Sequence, residues 1–175
     1  YLDNYNCFLE EGLVWPLINS NDMFIENPPD IFINGTLAEE IIIPDDVKVI
    51  GEFAFNGWRN LRSVTIPDSV ETIGSNAFSA CRSLIDITIP NSVKVIGEYA
   101  FSDCTSLTSV SIPDSVKNIN RYAFHGCSSL KTIALPNGLK KIEEYAFDEC
   151  TALESIVIPN GVTTICDGAL RECTT

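Results

Sequence analysis

Five of the seven cysteines lie 23 residues apart, a regularity that a metal or redox array would also show. They are Cys81, Cys104, Cys127, Cys150 and Cys173. A zinc site brings four ligands to one point, usually through closely spaced cysteine pairs, and the sequence contains no such pair. A free cysteine on an inward face behaves as a small apolar residue. We therefore expect these thiols to pack in a core, and we predict neither a metal site nor a cofactor.

Two further groups of residues are candidates for catalysis. His125, the only histidine, lies close to Cys127, but it belongs to a variable register predicted to face outward, whereas Cys127 belongs to the inward thiol register. Glu52, Glu98 and Glu144 follow the same 23-residue spacing but occur only at every second interval. Neighbouring glutamates would be about 10 Å apart if each interval adds one strand. Neither group gathers its members in one cleft. We expect a protein that is not an enzyme.

The 23-residue spacing extends over most of the chain. Units that open on Ile-Pro or Leu-Pro begin at Ile43, Ile66, Ile89, Ile112, Leu135 and Ile158. Counting from that first residue, positions one, five, eight, twelve, thirteen, sixteen, nineteen and twenty-two are predominantly aliphatic, Ala, Phe or Cys. A fixed period of this length is typical of stacked repeats, which bury a continuous core only against their neighbours. The sequence predicts a repeat solenoid.

Each unit is predicted to contain two short strands and little helix. The stretch 84–90 alternates inward aliphatic residues with outward ones and ends at Pro90, which is typical of a strand. The residues after each proline are Asp or Asn and then a small or acidic residue, which favours a tight turn. A second extended piece follows, for example 93–96. Equivalent strands of successive units should pair in parallel at about 4.8 Å.

Position nine leaves two alternatives open. It is Gly51, Gly74 and Gly97 in the first three units, which would suit a bend with positive φ. The last two units have Glu143 and Cys166 there instead. Either those two residues are strained, or the bend never needed positive φ.

The repeated phrase I-P-[DN]-S-V-x-x-I-G-E-Y-A-F-x-x-C-x-S-L-x-x-V-x resembles the BspA-type leucine-rich repeat, a family frequent in bacterial and protist surface proteins. The resemblance covers residues 43–175. It implies a right-handed leucine-rich repeat coil with a parallel β-sheet on its concave side and little helix. It also implies adhesion, or protein or glycan binding, by part of a longer secreted or cell-surface protein.

Residues 1–42 differ from the repeats that follow. They contain eight acidic residues and no Lys or Arg, together with many apolar side chains. A solenoid must cover its first open edge. We therefore expect residues 1–42 to form an N-terminal cap or flank, with a degenerate zeroth repeat over residues 32–42, and residues 43–175 to form six repeat units, the last one shortened.

Composition excludes several partners. The 175 residues carry 11 basic and 24 acidic side chains, a formal charge of −13, so the chain has no basic surface with which to bind nucleic acid. The longest aliphatic runs, such as 41–43, are far shorter than the roughly 20 residues of a membrane helix. We expect no nucleic-acid binding and no membrane insertion.

The outward residues of the first strand in each unit form the expected binding surface, which we call the concave face. Its candidate ligand-binding residues are Ser63, Thr65, Asp86, Thr88, Ser109, Ser111, Thr132 and Ser155. An alternative surface is an aromatic column at position eleven, formed by Phe53, Tyr99, Tyr122 and Tyr145. Exposed aromatic rings could stack on sugars or anchor a partner, although packing would also explain them.

Two alternatives concern the molecule as a whole. Small hydroxyl residues lack the Trp, Tyr and Arg anchors of strong interfaces, so the repeats could instead be a structural spacer within a larger chain. An uncovered last unit would expose apolar residues and strand edges. From this we expect edge-to-edge dimers through the C-terminal coil.

Overall fold

The computed structural model describes residues 32–33, 36–37 and 39–173, and within them the chain forms fourteen short strands and no helix. No described segment is a helix long and apolar enough to cross a membrane. The strands are β1 (Phe32–Ile33), β2 (Thr36–Leu37), β3 (Glu40–Ile42), β4 (Val49–Ile50), β5 (Ser63–Thr65), β6 (Thr72–Ile73), β7 (Asp86–Thr88), β8 (Val95–Ile96), β9 (Ser109–Ser111), β10 (Asn118–Ile119), β11 (Thr132–Ala134), β12 (Lys141–Ile142), β13 (Ser155–Ile156) and β14 (Thr164–Ile165).

The first strand of each coil joins a parallel ladder made of β3, β5, β7, β9, β11 and β13. Paired residues are one repeat apart, as in Asp86 with Ser109 and Ser109 with Thr132. Strand pairing is continuous from β3 to β5 and from β7 to β13, and the Ile85 amide N donates to the Arg62 carbonyl O at 3.1 Å between β5 and β7. The predicted parallel solenoid is confirmed.

A second parallel ladder runs along the other short strands. β4, β6 and β8 pair in one group, and β10, β12 and β14 pair in another. At the seam the Asn120 side-chain Nδ2 donates to the Ile96 carbonyl O at 2.6 Å. One coil earlier, the Gly97 backbone N donates to the Ile73 carbonyl O at 2.8 Å. At the seam the hydrogen bond to the isoleucine carbonyl of the preceding coil thus comes from a side-chain amide, whereas one coil earlier it comes from the backbone amide.

The core consists of the predicted inward positions stacked coil on coil. Phe55, Phe78, Phe101, Phe124 and Phe147 form a column of nearly parallel rings with neighbouring centroids 5.1–5.6 Å apart. Ile73, Leu84, Ile96 and their equivalents in the inner coils are buried beside it. Burial of an aliphatic or aromatic side chain contributes about 1.5–3 kcal/mol, and each coil repeats this gain only because its neighbour covers it.

Each coil turns as the prolines predicted. The amide of position five donates to the proline carbonyl in all six coils, for example Val93 N to Pro90 O at 3.0 Å. The second bend has its positive φ values at positions eleven and fifteen, as in Tyr99 (φ 56°) and Asp103 (φ 57°). No residue at position nine has a positive φ. The bend therefore never needed positive φ at position nine, and Glu143 and Cys166 are not strained there.

Glycine at position nine has a different role, which is close approach between coils. A Cβ on Gly97 would lie 2.5 Å from the Ser75 backbone N, and one on Gly74 would lie 2.8 Å from the Glu52 backbone N. Gly51, in the first coil, has nothing within 4 Å of such a Cβ. The second and third coils are therefore packed too closely on the coil before them for a side chain at this position.

The segment before the first coil only partly follows the expected zeroth repeat. β3 belongs to the parallel ladder, but β1 and β2 pair antiparallel with each other, Phe32 opposite Leu37 and Ile33 opposite Thr36. Residues 32–33 and 36–37 thus form an antiparallel strand pair, whereas the strand pairs of the described repeats are parallel. Most of the predicted N-terminal cap lies outside the described residues, so the division into residues 1–42 and 43–175 stays a prediction.

Candidate binding surfaces

Strand geometry places the predicted concave-face residues side by side in two columns. The middle residue of each three-residue strand points into the core, so its two neighbours point outward. All the candidates are exposed except Ser63, which is half-buried. The first column contains Ser63, Asp86, Ser109, Thr132 and Ser155, and the second contains Thr65, Thr88 and Ser111.

The concave face is low in charge and rich in hydroxyls. Among the described residues of its two columns, Glu40 and Asp86 are the charged ones. Large apolar side chains lie at its two ends, where Ile42 is 64 % exposed and Val157 is 79 % exposed. Such a surface offers hydroxyl donors and acceptors at intervals of about 4.8 Å. It suits an extended ligand that makes many small contacts.

A shallow depression beside this face was not anticipated from the sequence. It has a volume of about 360 Å³ and is lined by Glu39, Asn60, Arg62, Ser83, Ile85 and Ser106. Arg62 and Glu39 form a loose ion pair across it at 3.9 Å. Its lining residues occupy positions eighteen and twenty of successive units, so writing the repeats as columns would have revealed it. Its volume is near the lower end of small-molecule sites.

The tyrosines of the aromatic column stack on one another. The ring centroids of Tyr99 and Tyr122 are 4.6 Å apart, and those of Tyr122 and Tyr145 are 5.0 Å apart, with nearly parallel planes. Phe53, in the first coil, is half-buried like the three tyrosines. Stacking covers the faces of the central ring, which are the surfaces that a sugar would stack on. This arrangement favours packing, with ring edges and hydroxyls left for a partner.

The thiol column contains four buried cysteines and ends at the half-buried Cys173. Cys127 Sγ donates to the Phe101 carbonyl O at 3.2 Å, and the same contact recurs for the other four ladder cysteines at 3.1–3.3 Å. Burial raises the pKa of Cys127 to about 12. A thiol held in this state is a poor nucleophile, because the thiolate is the reactive form.

The outward assignment of the His125 register was wrong for two of its members. Ser102 and Asp148, one coil before and one coil after His125, are 3 % and 1 % exposed. Asp148 is buried because Arg171 binds it with two hydrogen bonds, Nε to Oδ1 at 2.9 Å and Nη2 to Oδ2 at 2.8 Å. A buried carboxylate of this kind needs a cationic partner, and only the stacking of coils supplies it.

Comparison with known proteins identifies the repeats. The family model for the BspA type leucine rich repeat region matches residues 28–118 and 96–175, in six copies. The chain belongs to the BspA-type leucine-rich repeat family. Leucine-rich repeat proteins of this kind are generally non-catalytic. No curated protein matches this chain.

Solved structures of bacterial leucine-rich repeat proteins are similar to it. The leucine rich repeat protein of T. pallidum is 27 % identical over 78 % of this chain and 77 % of its own, with a TM-score of 0.70. A leucine-rich repeat protein from Bacteroides ovatus is 33 % identical over 96 % of this chain and 55 % of its own, with a TM-score of 0.63.

A leucine rich cell surface protein from Faecalibacterium prausnitzii is also similar. It is 36 % identical over 78 % of this chain and 45 % of its own, with a TM-score of 0.60. The alignments with the Bacteroides and Faecalibacterium proteins therefore span only about half the length of those proteins. These comparisons agree with the leucine-rich repeat fold described above.

Proposed function

We propose that this chain is a non-catalytic binding domain of a secreted or cell-surface protein, and that it engages a protein or a glycan through the concave face. The observation that carries the proposal is the pair of exposed, hydroxyl-rich columns along β3, β5, β7, β9, β11 and β13. A similarity to a leucine rich cell surface protein supports the location.

Affinity in this proposal comes from contact area. Each rung of the concave face contributes short side chains such as Thr88 and Ser111, which lose little side-chain entropy on binding compared with Lys or Arg. Individual contacts of this type are weak, and the face supplies them repeatedly along one direction. With a net charge of −13, the chain favours neutral or cationic ligands over anionic ones.

A binding screen against extracellular-matrix proteins and a glycan array tests this proposal. The wild-type chain is compared with a variant in which Asp86, Thr88, Ser109 and Ser111 are changed to Lys. We expect this variant to lose binding, because four long cations then project from the centre of the face. The protein and glycan arms of the screen separate the two ligand classes.

A matched control carries the same change in charge on a different surface. Val95, Glu98, Asn118 and Thr164 are exposed on or beside the second ladder. Changing them to Lys adds four positive charges and removes one negative charge, as in the concave-face variant. This control should bind as the wild type does. Equal loss in both variants would indicate a nonspecific charge effect, and equal retention would move the site to the aromatic column or the N-terminal flank.

A structural spacer is the second candidate function. The columns of the concave face contain no Trp, Tyr or Arg among the described residues, and such residues dominate strong interfaces. The longer Bacteroides and Faecalibacterium relatives agree with a role as one segment of a larger chain. Absence of any ligand for the wild-type chain in both arms of the screen would favour this alternative.

A further inference from the structure

Three side chains capable of binding a metal ion meet where the fourth and fifth coils stack. His125 occupies position fourteen of the fourth coil, and Asp148 and Glu149 occupy positions fourteen and fifteen of the fifth. One ligand atom from each lies within 4.8 Å of the other two. Imidazole nitrogen with carboxylate oxygen is a donor set that suits zinc and its neighbours among the divalent transition metals.

The imidazole Nδ1 of His125 is buried and has no hydrogen-bond partner. It lies 3.4 Å from Oδ2 of Asp148, which is itself 1 % exposed. The edge-on contact between the His125 and Tyr122 rings, with centroids 5.6 Å apart at 87°, helps to fix the imidazole orientation. A buried polar atom without a partner is costly, and a bound cation would satisfy it.

The separation of these two atoms matches a shared metal ion. Zinc bonds to nitrogen and oxygen are about 2.0–2.1 Å long, so two ligands at a tetrahedral angle are about 3.4 Å apart. The Nδ1 to Oδ2 distance has this value without any movement. A Glu149 carboxylate oxygen lies within 4.8 Å of the ligand atoms of His125 and Asp148 and must move closer to complete a three-ligand set, which leaves one coordination position for water.

Arg171 of the sixth coil holds the Asp148 carboxylate from the other side. Its guanidinium donates one hydrogen bond to each oxygen, and each carboxylate oxygen has a second lone pair. Carboxylate ligands in metal sites are commonly oriented by such a hydrogen-bonded partner. The Tyr145 ring, 5.3 Å from the guanidinium carbon, keeps Arg171 in place.

We propose that His125, Asp148 and Glu149 form a binding site for a divalent transition cation, with Zn²⁺ as the best fit, and that the cation ties the fourth coil to the fifth. The sequence predicts no metal site, because it contains no pair of closely spaced cysteine ligands. The ligands of the proposed site lie one repeat apart and meet only when the coils stack.

A rival cluster must be distinguished in any test. Glu143, Glu144 and Cys166 also place three ligand atoms within 4.8 Å of one another. There, however, Lys141 Nζ contacts the Glu143 carboxylate at 2.8 Å, and the Cys166 thiol lies 3.8 Å from the same oxygen. His125 Nδ1 is a buried polar atom without a hydrogen-bond partner, and no described atom of the rival cluster is one, so the rival is the weaker candidate.

The test is titration of the full chain with Zn²⁺, under a non-thiol reductant, by calorimetry and by thermal unfolding. We expect one ion per chain and a higher melting temperature, because a ligand that binds only the folded state stabilises it. His125→Ser and Glu149→Gln should each weaken binding at least roughly tenfold. Ser79 and Ser102 occupy the His125 position in other coils, so His125→Ser is compatible with the fold.

Two control variants should bind Zn²⁺ as the wild type does. Glu172→Gln removes a carboxylate at the position of Glu149 one coil later, and Cys166→Ser removes the thiol of the rival cluster. With Co²⁺ as a probe, the absorption spectrum should lack a thiolate-to-metal charge-transfer band. No binding to wild type, binding that survives His125→Ser, or binding abolished by Cys166→Ser would each overturn the proposal.

Discussion

The hydrogen bond and the raised pKa of each buried ladder cysteine depend on packing against neighbouring coils. Each ladder cysteine donates to a phenylalanine carbonyl of the preceding coil. Desolvation is the main cause that raises the pKa of Cys81, Cys104, Cys127 and Cys150. These side chains are therefore part of the core, and their stability contribution depends on pH.

We predict that the free energy of unfolding falls as the pH rises above about 8.5. An unfolded cysteine loses its proton near pH 8.5, whereas burial raises the pKa of native Cys127 to about 12. Between these values the unfolded state binds fewer protons, so alkali favours it, by about 2 kcal/mol for this thiol between pH 8 and pH 10.

Guanidinium unfolding at pH 8 and at pH 10 checks this prediction. The Cys127→Ala variant is less stable at pH 8 because it loses a buried contact, but its stability should fall less between the two pH values. A variant whose stability fell as much as that of the wild type would show that Cys127 does not contribute to the alkaline loss.

The continuity of the second ladder depends on the residue at position nine, where each coil meets the backbone of the coil before it. In the first three coils glycine lets successive backbones approach closely. Where Asn120 replaces glycine, the ladder is interrupted and the side-chain amide takes over the contact to Ile96. Glu143 and Cys166 also replace glycine, but their backbone amides still donate to the preceding coil and the ladder continues there, so the seam coincides with the asparagine side chain and not with the loss of glycine as such.

We predict opposite effects of the same substitution at two equivalent positions. Gly97→Ala should destabilise the protein by about 1–3 kcal/mol, because its Cβ would overlap the backbone of the preceding coil. Gly51→Ala should be neutral or should stabilise by up to about 1 kcal/mol, because the site is open and alanine restricts the unfolded chain.

Urea unfolding of the two variants measures both changes against the wild type. The positions share the same place in the repeat, so helix or strand propensity cancels in the comparison. Equal effects of Gly97→Ala and Gly51→Ala would mean that backbone approach between coils does not constrain position nine.

At the scale of the described residues, the sixth coil differs from the inner coils because a neighbouring coil covers it on one side only. Ile165 is 49 % exposed in the sixth coil, whereas Ile142, its equivalent one coil earlier, is fully buried. Strands β13 and β14 are the last members of their ladders. An open strand edge with apolar neighbours is a template for pairing with another chain.

We predict that chains of this sequence pair in solution through the sixth coil, edge to edge. Sedimentation velocity should show a dimer whose population rises with concentration. Ile165→Lys should shift the chain to monomer, because a charge then lies on the buried contact. Val95→Lys is the control, since Val95 is similarly exposed, at 46 %, on the outer surface of the second ladder. A wild-type monomer at every concentration would contradict the prediction.

The repeating columns of the sequence were sufficient to predict the architecture. Identical side chains recurring every 23 residues can all be buried only if each unit stacks on the next, so the Phe, Ala and Cys columns determine the solenoid and its core. The same columns predicted the parallel strands and the proline turns. The family resemblance rests on these columns as well.

Tertiary structure decided the features that depend on atoms of a neighbouring coil. The close approach at Gly97 and the ion pair that accompanies the burial of Asp148 are inter-coil contacts, and the positive-φ residues Tyr99 and Asp103 donate their amides to the next coil. Such contacts join residues one repeat apart, where local propensity carries no information. His125, Asp148 and Arg171 share one position in successive units, so the 23-residue period places them side by side, but only the tertiary structure shows that Asp148 is buried and bound by Arg171.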